Sequence, residues 1–233
     1  MKLQTLAELN AERAARRPVI VVTDTESGEQ RLVKAKDFAA DPLRAELDKA
    51  LRMGKSGNVE AAGKKLFLNV YAPTAKLVIV GAVHISQALA PMAQSLGYDV
   101  TIVDPRTAFA SPERFPDVPL IAEWPDVALP PLNVDHYTAF VAVTHDPKID
   151  DPALLHAFQR DCFYIGALGS RKTHGKRVER LRAQGAKETD IARIHAPIGL
   201  PIGAVSPSEI AVAVMAEITA QLRLPAKEKE AAA

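Results

Sequence analysis

The sequence offers almost nothing to thiol chemistry: Cys162 is its sole cysteine among 233 residues. One cysteine closes no internal disulfide and excludes a Cys₂ or Cys₄ zinc centre within a single chain. An excess of either charge is also missing, the formal net charge being +1, which removes the electrostatic basis for binding nucleic acid. No apolar run reaches the roughly 18 residues of a membrane-spanning helix. The opening MKLQTLAELNAERAARR is charged throughout, where a secretory signal would carry an apolar core. Together these absences predict a cytoplasmic protein with no membrane segment and no metal site. Internal repeats are absent as well.

What remains is an ordinary globular composition, 48% hydrophobic and 24% charged, in a chain long enough for one large domain or a medium domain with a small appendage. The first part reads as a helix over 3–17, a hairpin of strands over 18–25 and 31–34, a helix opened by Asp41 and Pro42, and a strand from Lys64 to the proline-marked link at Pro73. From Lys76 the pattern changes. LVIVG is a continuous apolar run typical of a parallel strand buried on both faces, and ISQALAPMAQSLG repeats its apolar residues at helical spacing. Strands YDVTIVDPR, AFVAVTHD and FYIGALG follow, alternating with helices, and a long helix from Ser206 ends the ordered chain. Ser111 to His136 is proline-rich and reads as an irregular crossover with one short strand at 118–122. The expected fold class is α/β, a Rossmann-like doubly wound parallel sheet with a small α+β N-terminal domain. The expected boundaries are 1–73, 74–225 and a frayed tail, 226–233.

The stretch from Leu77 to Arg106 looks like the opening of a dinucleotide-binding unit, but its three small-residue places fall on Gly81, Val83 and Ser86. A branched side chain at Val83 stands where a pyrophosphate would approach the backbone. Asp104, at the end of the next strand, is placed to take a ribose hydroxyl, and Arg106 to take a phosphate. His84 opens the helix and either donates a neutral hydrogen bond to a ligand or holds the loop. Ligand crevices in such sheets lie beyond the carboxyl ends of the strands, which adds Thr144, His145 and Asp146, then Gly169, Ser170, Arg171 and Lys172. Cations at the start of a helix oppose its dipole, so Arg171 and Lys172 point to an anionic ligand. His145 beside Asp146 suits proton transfer, and equally suits a loop with a helix cap. Ser206, Pro207 and Glu209 form a capping box. Cys162 reads as a small buried hydrophobe. None of these residues is assigned as catalytic.

In order along the chain, GAVHISQALAPMAQSLGYDV, VDPR with RFP, VTHDPKIDD, YIGALGSRKTH and IHAPIGLPIGAVSPSEIAVAVMAEI resemble the xanthine dehydrogenase accessory factor family, XdhC/CoxI, over its C-terminal Rossmann domain. The resemblance covers about Leu77 to Leu222. It implies a maturation factor for a molybdenum hydroxylase of the xanthine dehydrogenase or carbon monoxide dehydrogenase type. Such a factor binds molybdenum cofactor (molybdopterin, in some cases as a nucleotide), protects it during sulfuration by a cysteine desulfurase, and passes it to the apo-hydroxylase. That role is a cofactor chaperone's, not an enzyme's. The family's usual glycine is Val83 here, and no glycine-rich GG segment occurs before Pro73, so a separate protein of the N-terminal family type is an expected partner, beside a possible homodimer. Two other readings stay open: an NAD(P)-dependent oxidoreductase using Asp104 and His145, and a non-catalytic interaction subunit.

Overall fold

The computed structural model describes residues 2–61 and 63–225; the tail expected to fray lies outside the described residues. The chain divides into two compact units at Pro73 and Thr74.

The first unit contains helix α1 (Leu3–Ala14), strands β1 (Val19–Asp24) and β2 (Gln30–Lys34), a 3₁₀ turn (Ala35–Ala40), helix α2 (Arg44–Met53), and strands β3 (Gly57–Ala61) and β4 (Lys64–Tyr71). Its antiparallel sheet runs β2-β1-β4-β3. The apolar run VIVV makes β1 the central, two-sided strand. Ile20 and Val22 pack with Phe38, Leu43, Leu47 and Leu68, while Val19 and Val21 alternate to the other face with Leu9. Two predicted details differ. Asp41 does not open α2; it accepts a hydrogen bond from the Leu43 amide and pairs with Arg31. Strand β3, absent from the sequence reading, lies between α2 and β4, and its Val59 and Ala61 pack on the apolar face of the sheet.

The second unit contains β5 (Lys76–Val80), α3 (His84–Ser95), β6 (Asp99–Val103), β7 (Leu120–Ile121), α4 (Pro125–Ala128), β8 (Thr138–Ala142), α5 (Pro147–Phe158), β9 (Tyr164–Ala167), α6 (Arg171–Ala183), α7 (Glu188–Ile191), β10 (Ile194–His195) and α8 (Pro207–Arg223). The sheet order is β10-β9-β8-β5-β6-β7, and every pairing is parallel. This is the doubly wound Rossmann arrangement, with the reversal of strand order between β5 and β8. Each face carries its own core. Leu77, Ile79 and Val141 meet α3 and α8 residues such as Leu89, Val214 and Ile218. Val78, Val80 and Phe140 meet α5 and α6 through Ile149, Leu154 and Leu181.

Sequence missed two boundaries that matter for the strand ends. Helix α5 starts at Pro147, although Pro152 inside it would by itself suggest a later start; Asp146 caps it by accepting from the Lys148 amide, and Pro152 is tolerated inside. The two-residue strand β10 was not expected, because IH is too short to show a period. The capping box at the head of α8 is present, with Ser206 and Glu209 bonding reciprocally.

Candidate functional site

The reversal of strand order separates the carboxyl ends of the sheet into two sides, built differently. On the β5–β6 side the fingerprint turn is occupied by the protein itself. Gly81 has φ +127°, and a Cβ there would lie 2.9 Å from Thr144 Cγ2, so glycine is required by the contact between the two loops. Asp104 is fully buried. One carboxylate oxygen accepts from the Ala82 amide at 2.7 Å, and both accept from Arg106 at 2.7 and 2.9 Å. Burial alone would raise this carboxyl, but the bonds from Arg106 and from the Ala82 and Arg106 amides hold it below its ordinary value. The Ala82 carbonyl is taken at 2.8 Å by Arg114, which also binds the Phe109 carbonyl and Gln87. Val83 is half-buried against the core and His84 is exposed. Asp104 and Arg106, the residues expected to face ribose and phosphate, are therefore bonded to each other and to the turn.

On the other side a cleft of about 750 Å³ opens at the ends of β9 and β10. His145 lies on one wall, the turn Leu168–Gly169–Ser170–Arg171 on another, and the loop from Ala196 to Ala204, with His195 and Glu217, forms the third. Among the predicted site residues His145, Gly169, Ser170 and Arg171 line it. Gly81, His84, Asp104, Arg106, Thr144, Asp146 and Lys172 do not.

Thr144 and Asp146 support the wall. Buried Asp150 accepts from the Thr144 hydroxyl at 2.6 Å and from the Thr144 and His145 amides. That clamp holds exposed His145 in the left-handed region, φ 64°, an arrangement a non-glycine residue keeps only when its surroundings enforce it. Burial raises the Asp150 carboxyl despite these bonds.

Ser170 caps α6 by accepting from the Thr173 amide, so the helix amino end faces the turn. Arg177, on α6 next to exposed Lys176, is 2% exposed. It donates to the carbonyl of cleft-lining Leu168 at 2.7 Å. Among the described residues its Nε and Nη1 find no hydrogen-bond partner, and Asp150 lies 3.8 Å from Nη2. Burial is the main cause that lowers the Arg177 value, while the charges of Asp150 and Asp151 act to raise it.

In the third wall, sequence reasoning missed His195 and Glu217. Glu217, buried on α8, accepts from Tyr164 Oη at 2.5 Å, from the Gly199 amide at 2.8 Å and pairs with His195 Nδ1 at 2.9 Å. Tyr164 and His195 stack with centroids 4.7 Å apart. Burial would raise Glu217, yet the bonds from His195 and Tyr164 hold it below the usual carboxylate range, while burial and the neighbouring carboxylate push the Tyr164 hydroxyl well up. Glycines fix the loop: a Cβ at Gly166 would lie 2.6 Å from Ile198 Cδ1, and one at Gly199, φ +90°, 3.0 Å from the Ala213 backbone. The available signal was a charged Glu217 amid the apolar run IAVAVMAEI, a residue that burial tolerates only when it is bonded.

Other features bear on chemistry. Cys162 is buried and its thiol is pushed up to about 12, with burial as the main cause. Among the described residues no cluster of three or more His, Cys, Asp or Glu is placed to hold a metal, and no helix is long and apolar enough to cross a membrane. Two further hollows, one beside α2 and one lined by residues of β1, β2 and β4 with Pro42 and Leu43, lie in the first unit and have mixed linings with no histidine.

Comparison with known families matches the XdhC Rossmann domain over residues 77–218. The chain belongs to the XdhC family. XdhC relatives include the YqeB protein of Escherichia coli (strain K12), 33% identical over 175 residues that make up 72% of this chain and 32% of YqeB. A protein of Bacillus subtilis (strain 168) named as a probable xanthine dehydrogenase component is 32% identical over 66% of this chain and 44% of its own length. The molybdenum cofactor insertion chaperone PaoD of Escherichia coli (strain K12) is 31% identical over 68% of this chain and 43% of PaoD. The matched part of this chain thus spans between about one third and just under half of those proteins. A crystal structure described as a xanthine dehydrogenase from Bacillus halodurans superposes with TM-score 0.68 and 23% identity, covering 98% of this chain and 68% of that one, which is a likeness of fold.

Proposed function

We propose that this XdhC-family chain is a maturation factor for a molybdenum hydroxylase, holding molybdenum cofactor in the cleft at the ends of β9 and β10 and passing it to the apo-hydroxylase. The observation that carries the reading is the polarity of the cleft. The carboxylate in its described lining, Glu217, already accepts from three groups, whereas Arg171 and the amino end of α6 bring positive charge to the same lining. Molybdopterin is an anion carrying a phosphate, and about 750 Å³ lies within the range of small-molecule pockets. Arg171 and Ser170 would hold the phosphate together with His195, and His145 would meet the rest of the ligand. Gly81, Thr144, Asp104, Arg106, Asp146 and Gly169 keep the loops in place, while His84 and Lys172 add exposed donors outside the cleft. When bound, the cofactor supplies the molybdenum centre of the hydroxylase. This chain's own residues bind, orient and shield it.

The names of two relatives, an insertion chaperone and a probable hydroxylase component, support the same reading. Sulfur for the cofactor comes from a separate cysteine desulfurase in this proposal, because a buried thiol held as the neutral form is a poor nucleophile. A second family protein of the N-terminal type remains a proposed partner. The test is titration of the purified chain with molybdenum cofactor and, separately, with NAD(H). Saturable binding of the cofactor alone is expected, and the loaded chain should activate apo-hydroxylase. Tight binding of NAD(H) without cofactor binding would overturn the proposal.

A further inference from the structure

Histidine changes charge in the physiological pH range and has two distinct ring nitrogens, so the partner of one fixes what the other can do. At His195 that partner is Glu217, and the bonding around Glu217 identifies its form. Gly199 N–H can only donate, and Tyr164 Oη is the donor to a carboxylate, so two donors converge on one oxygen while His195 Nδ1 faces the other. Burial would raise the Glu217 carboxyl, but the bonds from His195 and Tyr164 hold it below the usual carboxylate range. Glu217 is therefore ionised, His195 donates through Nδ1, and Nε2 is the atom left for the cleft that His195 lines.

A neutral imidazole would present a lone pair at Nε2, which repels the kind of anion that Arg171 and the amino end of α6 attract to the same cleft. A protonated ring would present an N–H donor at Nε2 while Nδ1 keeps its bond to Glu217. The charged and titratable groups around the ring are Glu217 on α8 and Tyr164 on β9, and His145 and Arg171 line the same cleft. An anion lying between these walls supplies what the free cleft lacks, a negative group in front of Nε2.

We infer that His195 is a ligand-contacting residue of this cleft: an oxyanion, of the phosphate class, binds to Nε2 with uptake of one proton by the imidazole, and Glu217 and Tyr164 are positioning residues. The anion reading of the cleft underlies this assignment. The proton comes from solvent or buffer, and no covalent bond forms or breaks. Release of the ligand returns the proton, so binding weakens as the pH rises, a property suited to a protein that hands its ligand on.

Inorganic sulfate tests this directly, since it keeps its charge across the histidine range. Its affinity for the full chain is measured calorimetrically from about pH 6 to about pH 8, at concentrations into the tens of millimolar, in buffers of different protonation heat. Affinity is expected to fall by up to about tenfold per pH unit with uptake approaching one proton. His195→Gln should flatten the profile, His145→Gln should leave its slope in place, and Glu217→Asp should preserve more of it than Glu217→Gln. Melting temperatures identify any variant that fails to fold, and His195→Gln decides the matter because its amide can still donate to Glu217. A flat wild-type profile, a slope that survives His195→Gln, a slope lost in His145→Gln, or no sulfate binding overturns the assignment. Molybdenum cofactor titration of the same proteins separates the two claims. Intact cofactor binding without sulfate binding rejects the role of His195 and leaves the maturation role standing. A His195-dependent sulfate profile without cofactor binding does the reverse.

Discussion

The two sides of one sheet end have opposite fates. At β5 and β6 the carboxylate of Asp104 faces inward and ties down Ala82 and Arg106, with Arg114 closing the same turn from outside. At β9 and β10 the carboxylate of Glu217 also faces inward, but its work is to hold an imidazole at the rim of an open cleft. A buried carboxylate satisfied by several donors is a rigid support in both places, and what differs is the residue it supports. Arg106 is bonded back to its own support, whereas His195 keeps a nitrogen for a ligand. The Rossmann topology is shared with dinucleotide-binding proteins, and the position of the free polar groups relocates the candidate site across the topological switch.

Removing either support should be the most damaging change. Glu217→Ala leaves the Tyr164 hydroxyl, the Gly199 amide and His195 Nδ1 without their acceptor, for an expected loss of about 3–5 kcal/mol in urea unfolding. A loss below about 1 kcal/mol would mean that water replaces the carboxylate freely. Gly81→Val tests the closed side: its strained φ and the 2.9 Å approach to Thr144 Cγ2 predict a loss of roughly 2–4 kcal/mol, read as a lowered melting temperature.

Acid should weaken both sides with one sign. The folded-state values of Glu217 and Asp104 are lowered, so the stability they contribute is complete above the unfolded carboxylate values and is lost as pH falls through the lowered folded ones. Unfolding midpoints should therefore hold down to about pH 5 and decline from about pH 4 downward. The stability difference between wild type and Glu217→Gln should shrink over that decline; a constant difference would exclude an ionised Glu217.

The core of this fold was legible in the sequence because LVIVG, AFVAVTHD and FYIGALG are apolar runs that only a doubly covered parallel strand explains. The turn at Gly169–Ser170–Arg171, which lines the cleft, was marked in the sequence by cations at a helix start. His195 and Glu217 were not, since they lie 22 residues apart on a two-residue strand and the middle of a long helix, and their pairing exists only after α8 docks. Asp104 was legible as a strand-end carboxylate but not in its role, because only the folded chain shows that Ala82 and Arg106 fill its lone pairs. Arg177 looked like its exposed neighbour Lys176 until the packing of α6 buried it.

A smaller contrast concerns the lone thiol. Cys162 in native protein should react with a thiol reagent far more slowly than the same residue in urea, because burial keeps the thiol neutral. Equal rates would return Cys162 to consideration as a sulfur carrier.

The most direct measurement compares molybdenum cofactor affinity in wild type, Arg171→Ala and Val83→Gly. Arg171 is exposed, so its loss should change stability by no more than about 0.5 kcal/mol while weakening the cofactor by roughly tenfold, or about 1.4 kcal/mol. Val83→Gly, which restores a glycine to the closed turn, should leave that affinity unchanged. Unaltered binding by Arg171→Ala together with a clear change in Val83→Gly would put the ligand on the β5–β6 side and contradict the proposed site.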